Sequence, residues 1–160
     1  MPGVIESYIH TGNQTGVLVE INCQNKITAT TSEFKILAKE IALQIAGSPQ
    51  VMYTKLSDIP PQAIKQIDRQ IQQKENKQEL LQQKIQEICL YEQPYIRDNS
   101  ITVEDLVKLH IAQLSEQITI SRFVRFTIDE SYPNSPGNSG GIPVNPSPDF
   151  PPFTEETKPE

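Results

Sequence analysis

Thr15-Gly16-Val17-Leu18-Val19-Glu20-Ile21-Asn22-Cys23 is the stretch on which the fold turns. Val17, Val19, Ile21 and Cys23 occupy every second position. Successive side chains of an extended chain point to opposite faces, so these four line one apolar face of a strand. Glu20 and Asn22 fall on the other face, with Leu18 as its exception. Residues 5–10 read as a second short strand, and Thr11-Gly12-Asn13-Gln14 between them has the residues of a turn. The pair is therefore a β-hairpin. A lone hairpin is marginal in water, so its apolar row needs a cover.

Residues 33–46 supply one. Phe34, Leu37, Ala38, Ile41, Ala42 and Ile45 recur at three and four, a single helical stripe. Thr30 and Glu33 have capping-box spacing at its start, and Gly47-Ser48-Pro49 stops it. Asp58-Ile59-Pro60-Pro61 opens a second helix with Ile64, Ile67 and Ile71 on one face. The Lys- and Gln-rich residues 72–78 break it. Asn76 and Glu79 offer a new cap, and Leu81, Ile85 and Ile88 continue the period. The two read as a helical hairpin whose charged side is a solvated face.

Thr102 opens a further helix with the stripe Val103, Leu106, Val107, Ile111 and Leu114. Period two returns over residues 117–128. Ile118, Ile120, Val124, Phe126 and Ile128 share one face; Thr119, Ser121, Arg125 and Thr127 share the other. Arg122 on the apolar face and Phe123 on the polar one predict either a bulge or a strand covered on both sides. This last strand must pair with the first hairpin to complete its apolar row. The expected architecture is α+β, an antiparallel sheet of about three strands with helices packed on one side.

The sequence has 160 residues, and eight of its thirteen prolines lie from Ser131 onward. Such a segment buries too little apolar surface to offset the entropy of ordering it. The expected division is a core domain over 1–130 and a disordered Pro/Gly/Ser-rich tail over 131–160. The tail reads as a plain extension, or as a short linear motif around Phe150 and Phe153. With a net charge of −6 and no basic stripe, nucleic acid is not an expected partner. No apolar run is long enough to span a membrane, and the N-terminus lacks the features of a signal peptide. A reduced compartment is the default for two scattered cysteines.

The chemistry-bearing residues are sparse. Gly12 and Gly16 lack the Lys-Ser/Thr and helix of a phosphate loop. His110 sits at the edge of a helical stripe, where a half-buried structural histidine is the simpler reading than a ligand. Cys23 and Cys89 fall on apolar faces, where inert thiols are the simpler reading than redox or metal centres. No catalytic constellation and no cofactor site are expected, and the sheet and helical hairpin suit protein–protein contact.

Several separated motifs then carry a family likeness. Ser7-Tyr8-Ile9-His10 and Gly16-Val17-Leu18-Val19-Glu20-Ile21-Asn22-Cys23-Gln24 resemble the start of the core domain of translation elongation factor Ts. Glu33-Phe34, Ala38 and the helix Ile41-Ala42-Leu43-Gln44-Ile45-Ala46 fit its next segment. The stretch from Ile88 to Asp98, with Gln93-Pro94-Tyr95, resembles a Leu-x-Gln-Pro-aromatic segment. Thr102-Val103 matches a helix opening, and Ile120-Ser121-Arg122-Phe123-Val124-Arg125-Phe126 the last strand. The likeness runs in order over 3–130 and is closest to the short form of the family, with one core module, found in cyanobacteria and plastids.

The resemblance implies a three-stranded antiparallel sheet with helices that binds elongation factor Tu, expels its GDP so that GTP can rebind, and often self-associates. It implies no bond chemistry and no cofactor, a homodimer, and a bacterial cytosol or plastid stroma. It also implies which residues meet Tu. His10 matches a histidine at the end of the first strand on the Tu-facing side, and reads equally as an exposed strand-end residue. Asn25, Lys26, Ile27, Thr28 and Ala29 stand where the family has a Thr-Asp-Phe-Val-Ala loop, whose Asp-Phe pair wedges between two Tu helices near the magnesium site. Here a cation replaces the anion and a branched aliphatic the aromatic. Reversing a charge at an interface costs on the order of several kcal/mol, and losing an aromatic anchor roughly 2 kcal/mol or more. Two further departures are expected: no three-helix N-terminal domain, and a helical hairpin shorter by about three turns, or roughly a dozen residues. Two classes of function thus stand: an exchange factor, weakened, or a non-exchanging interaction and dimerisation module derived from one.

Overall fold

Strand β2 (Thr15–Cys23) lies at the centre of a three-stranded sheet in the order β1-β2-β5, flanked antiparallel by β1 (Gly3–Ile9) and β5 (Ile118–Thr127). The computed structural model describes residues 1–128; the tail expected over 131–160 lies outside the described residues. The β1–β2 turn passes through Gly12, at φ 92°, and Asn13, at φ 58°. These left-handed values favour glycine and, next to it, asparagine.

The predicted alternation holds along β2. Val17, Val19, Ile21 and Cys23 are buried, and all six residues of the helical stripe pack over them from α2 (Ser32–Ala46). Phe34, Leu37, Ile41 and Ile45 are completely enclosed. Burial of each such side chain contributes about 1.5–3 kcal/mol relative to exposure. The cap of α2 is one residue later than expected. Thr31 accepts from the Phe34 N–H, while Thr30 ends a short helix, α1 (Lys26–Thr30), that the sequence reading treated as loop.

Helices α3 (Pro61–Ile71) and α4 (Lys77–Ile88) form the helical hairpin, with Pro61 in the first turn of α3. A small second cluster, Tyr53, Ile59 and Cys89 with Ile64, Ile85 and Ile88 against it, seals its base. A two-stranded ribbon, β3 (Pro94–Tyr95) with β4 (Asp98–Thr102), was not foreseen. It leads into α5 (Val103–Leu114), opened by Thr102 and Asp105 in a reciprocal capping box. Gln44 fastens this ribbon to α2. Its amide donates to Gln93 Oε1 and the Pro94 carbonyl, both at 3.1 Å, and its oxygen accepts from the Ile96 N–H at 2.9 Å.

The single-face reading of β5 is corrected. Ile120 stands opposite Ile21 and Arg122 opposite Glu20, so Ser121 is an extra residue, a β-bulge. One extra residue exchanges the faces of everything that follows. Phe123 and Arg125 therefore face the core beside Val19 and Val17, whereas Val124 and Phe126 share the opposite face with Leu18. The bulge option was correct, and Val124, Phe126 and Ile128 do not continue the row begun by Ile118 and Ile120.

Candidate functional site

At the end of β2 the chain turns into α1, and this corner presents the residues singled out by the sequence. Asn25 caps α1, its Oδ1 accepting from the Ile27 N–H at 2.8 Å. Ala29 is buried and Thr28 half-buried, both on the inner side of the short helix. Lys26 and Ile27 face outward, Ile27 with 72% of its surface exposed. Neither side chain contributes to the core.

The corner is anchored by Glu116, in the link between α5 and β5. One carboxylate oxygen accepts from the Gln24 and Gln117 N–H groups at 3.1 and 3.0 Å; the other accepts from the Asn25 N–H at 3.2 Å and the Thr28 hydroxyl at 2.9 Å. Glu116 has only 9% of its surface exposed. Desolvation pushes its pKa up. The Thr28 hydroxyl and the three N–H donors outweigh this and hold it below the usual carboxylate range. Ser115, at φ 49°, ends α5 in the left-handed region and turns the chain so that Glu116 reaches the corner. The sequence reading missed Glu116 altogether. Its α1 partners are some 90 residues away in the chain, and the only local signal is a carboxylate beside an apolar strand.

His10 is at the other end of the sheet. It follows β1, is exposed, donates its N–H to the Thr15 carbonyl at 2.9 Å, and lies 3.1 Å by Nδ1 from the Tyr8 hydroxyl. A nine-residue strand separates it from the corner, roughly 25 Å at the rise of an extended chain. The structure thus brings Asn25, Lys26, Ile27, Thr28 and Ala29 together and leaves His10 apart from them.

Elsewhere, His110 is half-buried with Nδ1 2.9 Å from the Leu106 carbonyl. Cys23 and Cys89 are buried free thiols, and burial pushes the pKa of both up. Among the described residues no group of three or more His, Cys, Asp or Glu is placed to hold a metal ion, and no helix is long and apolar enough to cross a membrane.

The second surface is the outer face of the sheet. Ile5 and Ile9 of β1, Leu18 of β2, and Phe126 and Ile128 at the end of β5 are 48–68% exposed there. The ion pair of Arg122 with Glu20, at 2.6 Å, and the polar residues Ser7, Asn22 and Thr119 interrupt its apolar character. The Arg122 guanidinium holds the Glu20 carboxyl below its usual range.

Fold and site together define an α+β module that displays side chains on a short helix and on an open sheet face. The family model described as elongation factor TS matches residues 1–130. The chain belongs to the elongation factor Ts family. Among its curated relatives, elongation factor Ts of Rippkaea orientalis is 44% identical over 140 residues, covering 80% of this chain and 56% of the relative. That of Trichodesmium erythraeum is 41% identical over 148 residues, 85% and 68% respectively. The chloroplastic protein of Galdieria sulphuraria is 46% identical over 138 residues, 79% and 69%. The chain therefore spans between about half and two-thirds of the length of these relatives.

Proposed function

We propose that this chain acts in translation elongation by docking on elongation factor Tu through the α1 corner and promoting GDP release, at a reduced rate. The observation that carries the reading is the outward projection of Lys26 and Ile27 from a helix that Asn25 caps, Ala29 buries and Thr28 ties to Glu116. These two occupy the positions of the family's Asp-Phe wedge. A partner accelerates release only if it binds the nucleotide-free state better than the GDP-bound state; one that binds both equally shifts nothing. Replacing an anion and an aromatic by Lys26 and Ile27 diminishes that difference while leaving the scaffold in place. No bond chemistry and no cofactor enter this function, and its setting is a bacterial cytosol or plastid stroma.

The same reading includes a homodimer. The exposed outer face of the sheet suits sheet-on-sheet packing about a twofold axis, which would cover Leu18 and Phe126 with their counterparts. The changed wedge favours a second reading, an interaction and dimerisation module that has lost exchange.

Stopped-flow release of fluorescent GDP from elongation factor Tu separates the two. The first reading expects measurable acceleration, enhanced by Lys26→Asp with Ile27→Phe. Tu binding without acceleration, unchanged by the double substitution, supports the second. Acceleration equal to that of a full-length factor would refute the argument from the wedge positions, and absence of any Tu binding would refute both readings.

A further inference from the structure

We infer that Glu116 is a positioning residue for the proposed Tu contact: its carboxylate, more than the local sequence of α1, sets the direction in which Lys26 and Ile27 project. The inference rests on the Tu-docking reading above and assigns a role to a residue outside the wedge segment. Four donors converge on two oxygens, two per oxygen. Three of these donors, from Gln24, Asn25 and Thr28, belong to the β2–α1 corner, which is the full reach of the corner from strand end to first helical turn. Helix α1 itself is only five residues long. So short a helix has no stability of its own in water, because nucleation costs more than one turn of hydrogen bonds returns. Its orientation must come from outside, and the anchors are the buried Ala29, the Cys23 thiol donating to the Asn25 carbonyl, and the Glu116 carboxylate with the most bonds.

The chemistry of the site makes the carboxylate hard to replace. An ionised carboxyl is acceptor-only, which matches four donors. Glutamine has the same shape but turns one of the two oxygens into a donor. Placed at the α1 side, that amide meets the Asn25 N–H; placed at the other side, it meets the Gln24 and Gln117 N–H groups. Either orientation leaves a backbone N–H in the corner facing a donor, so a single-atom change loosens the corner without altering its volume. Thr28→Val is the milder companion, removing one hydroxyl donor and keeping the branched shape.

The test has two arms. In the first, amide hydrogen exchange is followed residue by residue in the unmodified chain, Glu116→Gln and Thr28→Val. Glu116→Gln should speed exchange at Gln24 and Asn25 about tenfold or more, with Val19 and Ile21 in the strand unchanged. Unaltered protection at the corner overturns the inference. In the second arm, Tu binding and GDP release are measured for the same proteins and for Thr102→Ala, which weakens the α5 cap away from the corner. Glu116→Gln should lose about tenfold in Tu affinity and Thr28→Val a few-fold, while Thr102→Ala loses little. Adding Lys26→Asp with Ile27→Phe should help less in the Glu116→Gln background than in the unmodified one, since a misdirected wedge gains little from better side chains. A loosened corner with full Tu affinity, or equal gain in both backgrounds, shows that Glu116 serves the fold alone. If Glu116→Gln fails to fold, Thr28→Val decides on the same two measurements. If the unmodified chain does not bind Tu, the docking reading falls and takes the Tu half of this inference with it. The exchange arm still decides whether Glu116 fixes the corner.

Discussion

Both faces of the sheet carry large apolar residues, and these have opposite fates. On the inner face Val19, Ile21 and Ile120 are enclosed by α2 and its neighbours. On the outer face Leu18 and Phe126 are about half exposed, and Ile5, Ile9 and Ile128 more so. Alternation of apolar and polar residues explains the first face only. An apolar patch that the described residues leave uncovered marks an interaction surface more often than a defect. The contrast separates residues that hold the domain together from residues left available for contact.

That separation can be broken by substitution on each side. Ile41→Ala opens a cavity under the sheet and should destabilise the domain by about 2–5 kcal/mol, lowering the melting temperature by roughly 10 °C or more. Chemical denaturation checks it. A loss below about 1 kcal/mol would mean the inner face is loosely packed.

Leu18→Lys on the outer face should do the reverse. The monomer should change by less than about 1 kcal/mol. Self-association should weaken by about a hundredfold, because each copy would bring a cation to the twofold contact. Sedimentation reads both species. If the unmodified protein stays at 18 kDa at high concentration, the outer face is not a homodimer surface and the contrast loses half its content.

The pH dependence has two limbs. The lowered pKa values of Glu116 and Glu20 favour the folded state above the ordinary carboxylate value of 4.5. That contribution should fade as pH falls through their lower folded values. Tyr95 works the other way. Its phenol donates to Glu40 at 2.5 Å, and burial together with that carboxylate pushes it up to about 12 from 10.0. Its contribution is complete below pH 10 and should be lost as pH rises toward 12. Denaturation at stepped pH tests both limbs, and Tyr95→Phe should flatten the alkaline one. The smallest effect is expected at Ser115. Glycine suits φ 49° better than serine, so Ser115→Gly should raise the melting temperature by about 1–3 °C.

Much of this contrast was legible in the sequence. The period-two row of β2 and the six-residue stripe of α2 were strong because the same residues satisfy local propensity and tertiary burial together. The bulge was half legible: Arg122 and Phe123 were out of phase, but only the pairing partner reveals which residue is extra. The cap shifted from Thr30 to Thr31 because two adjacent threonines offer equivalent oxygens and the turn geometry of α1 chooses between them. Glu116 was hidden because hydrogen bonding across distant segments leaves no period. The separation of His10 from the α1 corner could have been read. Residues before and after one long strand of a hairpin lie at opposite ends of it, whatever motif joins them in a family pattern.

The strand order carries one more consequence, for how the chain folds. Thr15 pairs with Thr127, so the central strand waits for a partner more than a hundred residues later. During synthesis the apolar row of β2 can meet α2 early, but its second edge stays unpaired until β5 emerges. Closing so long a loop costs more entropy than closing a hairpin, so this pairing is expected to form late. The α3–α4 hairpin eases this: once formed from local contacts, it draws Tyr53 and Cys89 into a bridge and removes much of the intervening chain from the loop to be closed. Slowing that hairpin should therefore delay assembly of the sheet, although no residue of the hairpin belongs to it.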